Sequence, residues 1–179
     1  MQNLKDVPIG ANAPDVINAI IEIPRGSRMK VEYDPELGLF RLDRVLYSSV
    51  HYPYSYGFIP STLWGDGDPL DILVFCDQDL FTGLLLEVIP IGALEMTDDK
   101  GSDLKIVAVA AGDQSVNQMT EYTELAEHRR LEIEHFFETY KLLEGKGVQV
   151  GHWLPSNKAK AAIMSARRNH EQAASSFQP

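Results

Sequence analysis

Residues 66–76 read DGDPLDILVFC, with three aspartates set directly before a nearly continuous apolar run. Such a run, entered from a turn that contains Gly and Pro, predicts a β-strand buried on both faces. Pro69 pushes Asp68 toward an extended conformation, and Asp71 begins the strand. Like charges repel one another more strongly when they are buried. We therefore expect something positive among these three carboxylates.

Short strands separated by turn residues dominate the chain before about residue 116, which indicates a closed or strongly curved barrel. Predicted strands cover 17–24, 30–34, 39–47, 70–76, 84–96 and 104–111. Apolar residues at helical spacing then predict a helix over 131–145 that stops at Gly145. A short strand over 147–153 and a second helix capped by Ser156 follow. We expect one domain over 1–179, mainly β with α, whose tail frays after about residue 172.

Charge and composition argue against several classes of function. The net charge is −10 and no block of five or more basic residues occurs, whereas binding to a nucleic-acid backbone requires the opposite balance. No apolar run approaches the roughly 18 residues needed to span a bilayer, and MQNLKDVPIG has no hydrophobic export signal. The single cysteine, Cys76, provides no disulfide framework. We expect a cytoplasmic protein without nucleic-acid or membrane partners.

The acidic clusters favour a metal site. An Asp-Gly pair alone is a common turn former, but three acids before a buried strand favour a bound cation. An EF-hand loop is excluded because it needs Gly at its sixth position and Glu at its twelfth. The five histidines are scattered, so carboxylate ligands point to a hard ion such as Mg²⁺ rather than to zinc. A second acidic group, with Asp98, Asp99 and Asp103, is equally consistent with a solvated hairpin tip.

Charged residues also recur on otherwise apolar faces of the earlier strands. Glu22 lies among isoleucines, Lys30 shares a face with Glu32, and Arg44 falls between two leucines. Each could be an edge-strand side chain that reaches solvent, but their recurrence favours a common site. The stretch HYPYSYGFIP over 51–60 adds three tyrosines, which are usually core residues but can donate hydrogen bonds to an anion.

Five motifs in this order closely resemble the family I soluble inorganic pyrophosphatases: KVEYD, YPYSYGFIP, DGDPLD, MTDDKGSDLK and HFFETYK. The resemblance runs from about residue 20 to beyond residue 141, and Asp66 to Asp71 match the signature D-[SGN]-D-P-x-D. It implies a five-stranded, OB-like closed barrel flanked by C-terminal helices. The implied reaction is hydrolysis of pyrophosphate to two orthophosphates by in-line attack of a metal-activated water. The implied cofactor is Mg²⁺, with several ions per active site and Mn²⁺ or Zn²⁺ as substitutes, and the implied assembly is a homohexamer.

The resemblance also implies a role for each matching residue, with no departure among these positions. Asp68 matches the residue proposed as general base. The implied metal ligands are Asp66, Asp71, Asp98, Asp103, Glu22 and Glu32. The implied substrate-binding residues are Lys30, Arg44, Tyr56, Lys105, Tyr140 and Lys141, with Tyr52 in a supporting position. The stretch after about Lys158 matches less clearly.

Three other functions stay open at this level. An OB-type nucleic-acid-binding module is disfavoured by the net charge of −10. A nucleotide-specific metal phosphohydrolase would need a purine pocket, for which no motif is found. An inactive paralogue is disfavoured by the intact set of contact residues.

Overall fold

The structure, a computed structural model, describes residues 3–98 and 101–176. Its strands and α-helices, in chain order, are β1 (Ile17–Ile23), β2 (Met29–Asp34), β3 (Leu39–Val45), β4 (Ser55–Phe58), β5 (Asp71–Phe75), β6 (Leu85–Asp98), β7 (Gly101–Ala110), α1 (Glu127–Thr139), β8 (Gln149–Pro155) and α2 (Ser156–Ser176). Short 3-10 turns occupy Leu4–Asp6, Tyr122–Glu124 and Leu142–Glu144. None of the helices within the described ranges is long and apolar enough to cross a membrane.

Five strands close into a ring in the order β1-β4-β5-β7-β6, because β6 pairs again with β1. The pairing of β5 with β7 is parallel, and the other pairs in the ring are antiparallel. Strand β8 extends the sheet beyond β6, while β2 and β3 form a separate hairpin. This ring confirms the mainly β fold with a closed five-stranded barrel, and α1 and α2 are its C-terminal helices.

Strand β5 is buried on both faces, as its apolar run predicts. Ile72 and Val74 join a cluster that includes Ile163 of α2. Leu73 and Phe75 join a second cluster that includes α1 residues. The alternation of a strand therefore directs successive side chains of β5 toward different helices, and Asp71 stands at the open end of the strand.

Strands β1 and β4 approach each other most closely at Gly57. A Cβ atom at this position would lie 1.9 Å from the carbonyl oxygen of Ile20, so only glycine fits. The sequence prediction did not include β4, because its four residues lie within the tyrosine-rich stretch assigned to turns. All four are buried, and β4 completes the ring between β1 and β5.

The C-terminal elements differ from the prediction at their ends. Helix α1 begins earlier, at Glu127, and gives way to the 3-10 turn before Gly145 stops it with a φ of 72°. The helical spacing predicts Leu143 on the apolar face of this helix, but Leu143 lies on the 3-10 turn and is 67% exposed. Helix α2 continues to Ser176, past the point near 172 where fraying was expected. The hydrogen bond of 2.8 Å from Ser175 Oγ to the carbonyl oxygen of Glu171 supports its last turn.

Candidate active site

A cavity of about 510 Å³ opens at one end of the barrel and collects most of the predicted site residues. The predicted residues that line it are Glu22, Lys30, Glu32, Tyr56, Asp66, Asp68, Asp71, Asp98, Asp103, Lys105, Tyr140 and Lys141. They come from β1, the β2–β3 hairpin, β4, the loop before β5, the β6–β7 hairpin and the end of α1. The sequence therefore predicted a single acidic site from segments that are far apart along the chain.

The loop that carries Asp66 and Asp68 is held by its own hydrogen bonds. The Oδ1 atom of Asp66 accepts a bond of 3.1 Å from the backbone N–H of Asp68, and Gly67 between them has a φ of 90°. The buried Thr62 hydroxyl accepts from the N–H of Leu70 at 3.0 Å and donates to the carbonyl of Ile59 at 2.6 Å. This is an Asx-type turn, and it presents two carboxylates to the cavity.

Lys105 lies at the centre of the acids. Parallel pairing sets it directly opposite Asp71 on the neighbouring strand. Its Nζ atom contacts the Asp71 carboxylate, lies 2.7 Å from Asp103 Oδ2, and donates to the Tyr56 hydroxyl at 3.1 Å. Burial alone lowers the pKa of this lysine, but Asp71 and Asp103 outweigh that effect and raise it. This ammonium group balances part of the charge of Asp71 and Asp103, but it does not contact Asp66 or Asp68 within the described residues.

Two of the acids are nevertheless hard to ionise. Burial raises the pKa of Glu22 to about 7, although its carboxylate accepts a hydrogen bond of 2.7 Å from the N–H of Tyr33. Burial also raises the pKa of Asp103, against the opposing effect of Lys105. The negative charge of Asp71 raises both pKa values further. Burial and the neighbouring Asp71 charge thus oppose the ionisation of both carboxylates more than the nearby lysines favour it.

The remaining lysines of the cavity also pair with acids that line it. Lys141 Nζ lies 2.8 Å from Asp98 Oδ2, and Lys5 Nζ lies 3.0 Å from Asp68 Oδ1. Lys30 contacts Glu32 within the same strand. Burial lowers the pKa of Lys30, and the nearby guanidinium of Arg44 adds to that decrease. All three lysines line the cavity.

Two predicted residues do not line the cavity. Arg44 lies opposite Lys30 across the β2–β3 hairpin, but its Nε atom donates to Glu144 at 2.8 Å. Tyr52 is buried behind the cavity wall, with its ring 5.4 Å from that of Tyr56. Tyr52 therefore supports a lining residue, whereas Arg44 would have to leave Glu144 to reach a ligand in the cavity.

Comparison with known proteins accounts for this arrangement. The family model described as inorganic pyrophosphatase matches residues 19–171. The chain belongs to the inorganic pyrophosphatase family. It is 48% identical over 170 residues to an inorganic pyrophosphatase of Thermus thermophilus, covering 93% of this chain and 95% of that relative. A relative of the same name from Sulfolobus acidocaldarius is 49% identical over 160 residues, covering 88% of this chain and 92% of that relative.

Solved structures agree with this assignment. The crystal structure of the inorganic pyrophosphatase from Thermus thermophilus superposes with a TM-score of 0.93 at 44% identity, covering 95% of this chain and 99% of that one. The family assignment favours a hydrolase over the nucleic-acid-binding module that an OB-like barrel could also provide.

Membership of the inorganic pyrophosphatase family implies a metal cofactor, and the donor set of the cavity fits one. All its acidic groups are carboxylates, the ligand type that hard divalent cations prefer. Within residues 3–98 and 101–176, no three His, Cys, Asp or Glu side chains already form a compact metal-binding group. Lys105 stands between Asp71 and Asp103 instead. Asp99, predicted with the second acidic group, lies outside the described residues.

Lys5 and the two acid partners of Arg44, Asp43 and Glu144, could not be predicted as site residues from the sequence. Lys5 lies 63 residues before Asp68, and Arg44 lies 100 residues before Glu144. Nothing in the local pattern distinguishes these residues from ordinary surface charges. The one local signal is that apolar residues, Leu4 and Val7, flank Lys5 and Asp6, which is consistent with packing of this segment against the barrel.

Proposed function

We propose that this cavity is the site at which the chain hydrolyses inorganic pyrophosphate to two orthophosphates, with Mg²⁺ as its cofactor. The activity is supported by membership of the inorganic pyrophosphatase family. The observation that carries the assignment to this cavity is the buried Lys105, which is held between Asp71 and Asp103. Such a cluster of buried charges at a cavity is a typical mark of a catalytic site.

The carboxylates of the cavity are the proposed ligands of Mg²⁺. The ligands of the Mg²⁺ ions would be Asp66, Asp71, Asp98 and Asp103. Glu22 of β1 and Glu32 of β2 would also contribute. When bound, such ions neutralise phosphoryl charge and increase the acidity of water. Mn²⁺ and Zn²⁺ are proposed as substitutes. A cation bound beside Glu22 and Asp103 would favour their ionised forms, against the burial that raises their pKa values.

The lysines and tyrosines of the cavity would bind the two phosphoryl groups. Lys30, Lys105 and Lys141 line the cavity and offer ammonium groups from β2, from β7 and from the segment after α1. Burial raises the pKa of the Tyr56 and Tyr140 hydroxyls, so both stay protonated at neutral pH and can donate hydrogen bonds to phosphoryl oxygens. Arg44 would join them by exchanging Glu144 for the substrate. These donors would also stabilise the charge that develops on the leaving phosphate.

Asp68 is the proposed general base. Its side chain is 63% exposed, in contrast to 8% for Asp98, and its Oδ1 atom is paired with Lys5. In the reaction, the oxygen of a water molecule bonds to one phosphorus while the bond from that phosphorus to the bridging oxygen breaks. Asp68 would take a proton from that water as the other phosphate leaves. An exposed carboxylate outside the Lys105 cluster is suited to gain and release a proton in each cycle.

The experiment compares Asp68→Asn with Asp71→Asn at saturating Mg²⁺ and pyrophosphate. Asp68→Asn should lower turnover by about 10²- to 10⁴-fold while leaving the affinity for Mg²⁺ nearly unchanged. Its pH–rate profile should shift to more alkaline solution. Asp71→Asn should weaken Mg²⁺ binding as well as the rate. Wild-type turnover with an unshifted profile for Asp68→Asn would mean that the water needs no base.

We also propose a single domain over 1–179, a homohexamer and a cytoplasmic location. The proposed contact surface lies on α1, where His128 and His135 are exposed. The resemblance to the family also predicts Phe136 in this contact, but Phe136 is buried within the chain, with its ring 4.7 Å from that of Tyr52. The exposed apolar residue on this helix is Leu131, which is 53% exposed.

A further inference from the structure

The 3-10 turn Leu4–Asp6 lies beside the cavity and precedes residue 19, where the family match begins. Leu4 and Val7, on either side of its charged residues, pack against the buried cluster of Ile20, Tyr33 and Phe58. The side chain of Lys5, between them, is one of the residues that line the cavity. This segment is therefore attached to the barrel by its apolar side chains, and it brings a cation to the site.

Backbone hydrogen bonds fix the position of this turn. The N–H of Leu4 donates to the Tyr33 hydroxyl at 3.1 Å, and the carbonyl of Lys5 accepts from the N–H of Ser61 at 2.7 Å. Ser61 also donates through Oγ to the carbonyl of Val7 at 2.8 Å. Ser61 has a φ of 54°, which is costly for a residue other than glycine, and in this conformation both of its donors bind the segment.

The Lys5 side chain reaches from this fixed backbone to the proposed base. Its Nζ atom lies 3.0 Å from Asp68 Oδ1, and the two side chains are 26% and 63% exposed. An ion pair this exposed adds little to the stability of a fold. The ion pair matters instead for the orientation of Asp68. Within residues 3–98 and 101–176 Asp68 has no other ion pair, and Lys5 contacts its Oδ1 atom, which leaves Oδ2 to accept a proton.

We infer that Lys5 is a positioning residue for pyrophosphate hydrolysis, holding the Asp68 carboxylate through Oδ1 so that Oδ2 serves as the proton acceptor. The inference rests on the proposed role of Asp68 as general base. Without the lysine, the exposed Asp68 side chain would sample other rotamers on its loop. A misplacement of about 1 Å at a reacting group can cost on the order of 10²-fold in rate.

The test compares Lys5→Met and Lys5→Arg with Lys160→Met. Lys160 is a matched control, because its Nζ atom lies 2.9 Å from an exposed aspartate, Asp15, and its side chain is 28% exposed. Lys5→Met should lower kcat by about 10- to 100-fold. Its KM and the Mg²⁺ concentration that gives half-maximal activity should stay close to the wild-type values. Lys5→Arg, which keeps the charge, should recover part of the loss. Lys160→Met should keep wild-type kcat, and melting without Mg²⁺ should show both methionine variants folded.

A double-mutant cycle with Asp68→Asn separates this inference from the proposed function. If Lys5 acts through Asp68, Lys5→Met should add almost no further loss in the Asp68→Asn background. The inference would be overturned if Lys5→Met lowered kcat in the Asp68→Asn background as much as it does in wild type and also raised KM, because Lys5 would then bind phosphate directly. Wild-type kcat in Lys5→Met, together with a large loss in Asp68→Asn, would refute the role of Lys5 alone. Wild-type turnover in Asp68→Asn would refute the base itself.

Discussion

The buried carboxylate of Glu22 should make the stability of the metal-free protein depend on pH. Its pKa rises from the ordinary value of 4.5 to about 7, chiefly through burial and further through Asp71, against the opposing effects of Tyr33 N–H, Lys30 and Lys5. Between these two pH values the folded chain holds the proton and the unfolded chain has lost it. The free energy of unfolding therefore falls as pH rises. The contribution of protonated Glu22 to the free energy of unfolding is fully present below pH 4.5 and is lost as pH rises through about 7.

The size of the effect follows from the shift. One pKa unit corresponds to about 1.4 kcal/mol, so the rise of Glu22 corresponds to a loss of about 3 kcal/mol across this window. Glu22→Gln keeps an oxygen that can accept from Tyr33 N–H but cannot ionise in this range. We compare the free energy of unfolding of Glu22→Gln with that of wild type, both without metal. This difference should shift in favour of the variant by up to about 3 kcal/mol between acidic pH and pH 8.

Urea unfolding at one protein concentration, in a chelator and from pH 4 to pH 8, measures this difference. The two stability profiles should diverge as pH rises, and Mg²⁺ should reduce the divergence because it favours the ionised carboxylate. Glu87→Gln, at an exposed glutamate of the neighbouring strand β6, is the control. Profiles of wild type and Glu22→Gln that run parallel over the whole range would refute the reasoning.

Three further predictions concern metal, assembly and packing. Mg²⁺ at a hundredfold excess over its dissociation constant should add about 2.7 kcal/mol to the free energy of unfolding. Asp71→Asn should blunt the resulting rise in Tm, and an unchanged wild-type melting curve in millimolar Mg²⁺ would contradict the site. Light scattering should give a particle well above the 20.0 kDa monomer, whereas a clean monomer would disprove the hexamer. Gly57→Ala should lower stability by about 3 kcal/mol or more because its Cβ meets the Ile20 carbonyl, while Gly112→Ala, which meets open space, should be nearly neutral in urea unfolding.

Much of the barrel could be predicted because its strands carry strong local patterns. The apolar run of β5 indicated burial on both faces, and the structure confirms it. Strand β4 could not be found in this way, since its four residues lie among turn-like tyrosines and prolines. Its conformation is imposed by pairing with β1 and β5 on either side. Tertiary pairing, rather than local preference, determines so short a strand.

The candidate site could be predicted as a set of residues but not as a set of contacts. Family motifs identified the acids and lysines of the cavity, and their roles remain predictions. Neither the pairing of Lys5 with Asp68 nor that of Arg44 with Glu144 has a local signal. Both pairs join segments that meet only in the folded chain, and the end of α1 in a 3-10 turn determines where Glu144 lies.

The parallel pairing of β5 with β7 has a consequence for folding kinetics. Asp71 and Lys105 are 34 residues apart, and the chain between them runs through β6 before it returns. Such non-local pairing must overcome loop-closure entropy before it contributes any favourable energy, which makes it slow to form. We therefore expect the carboxylates of the cavity to come together only as the ring closes, late on the folding pathway. Cations bound among them would lengthen the lifetime of the native state by slowing unfolding, with little effect on the rate of folding.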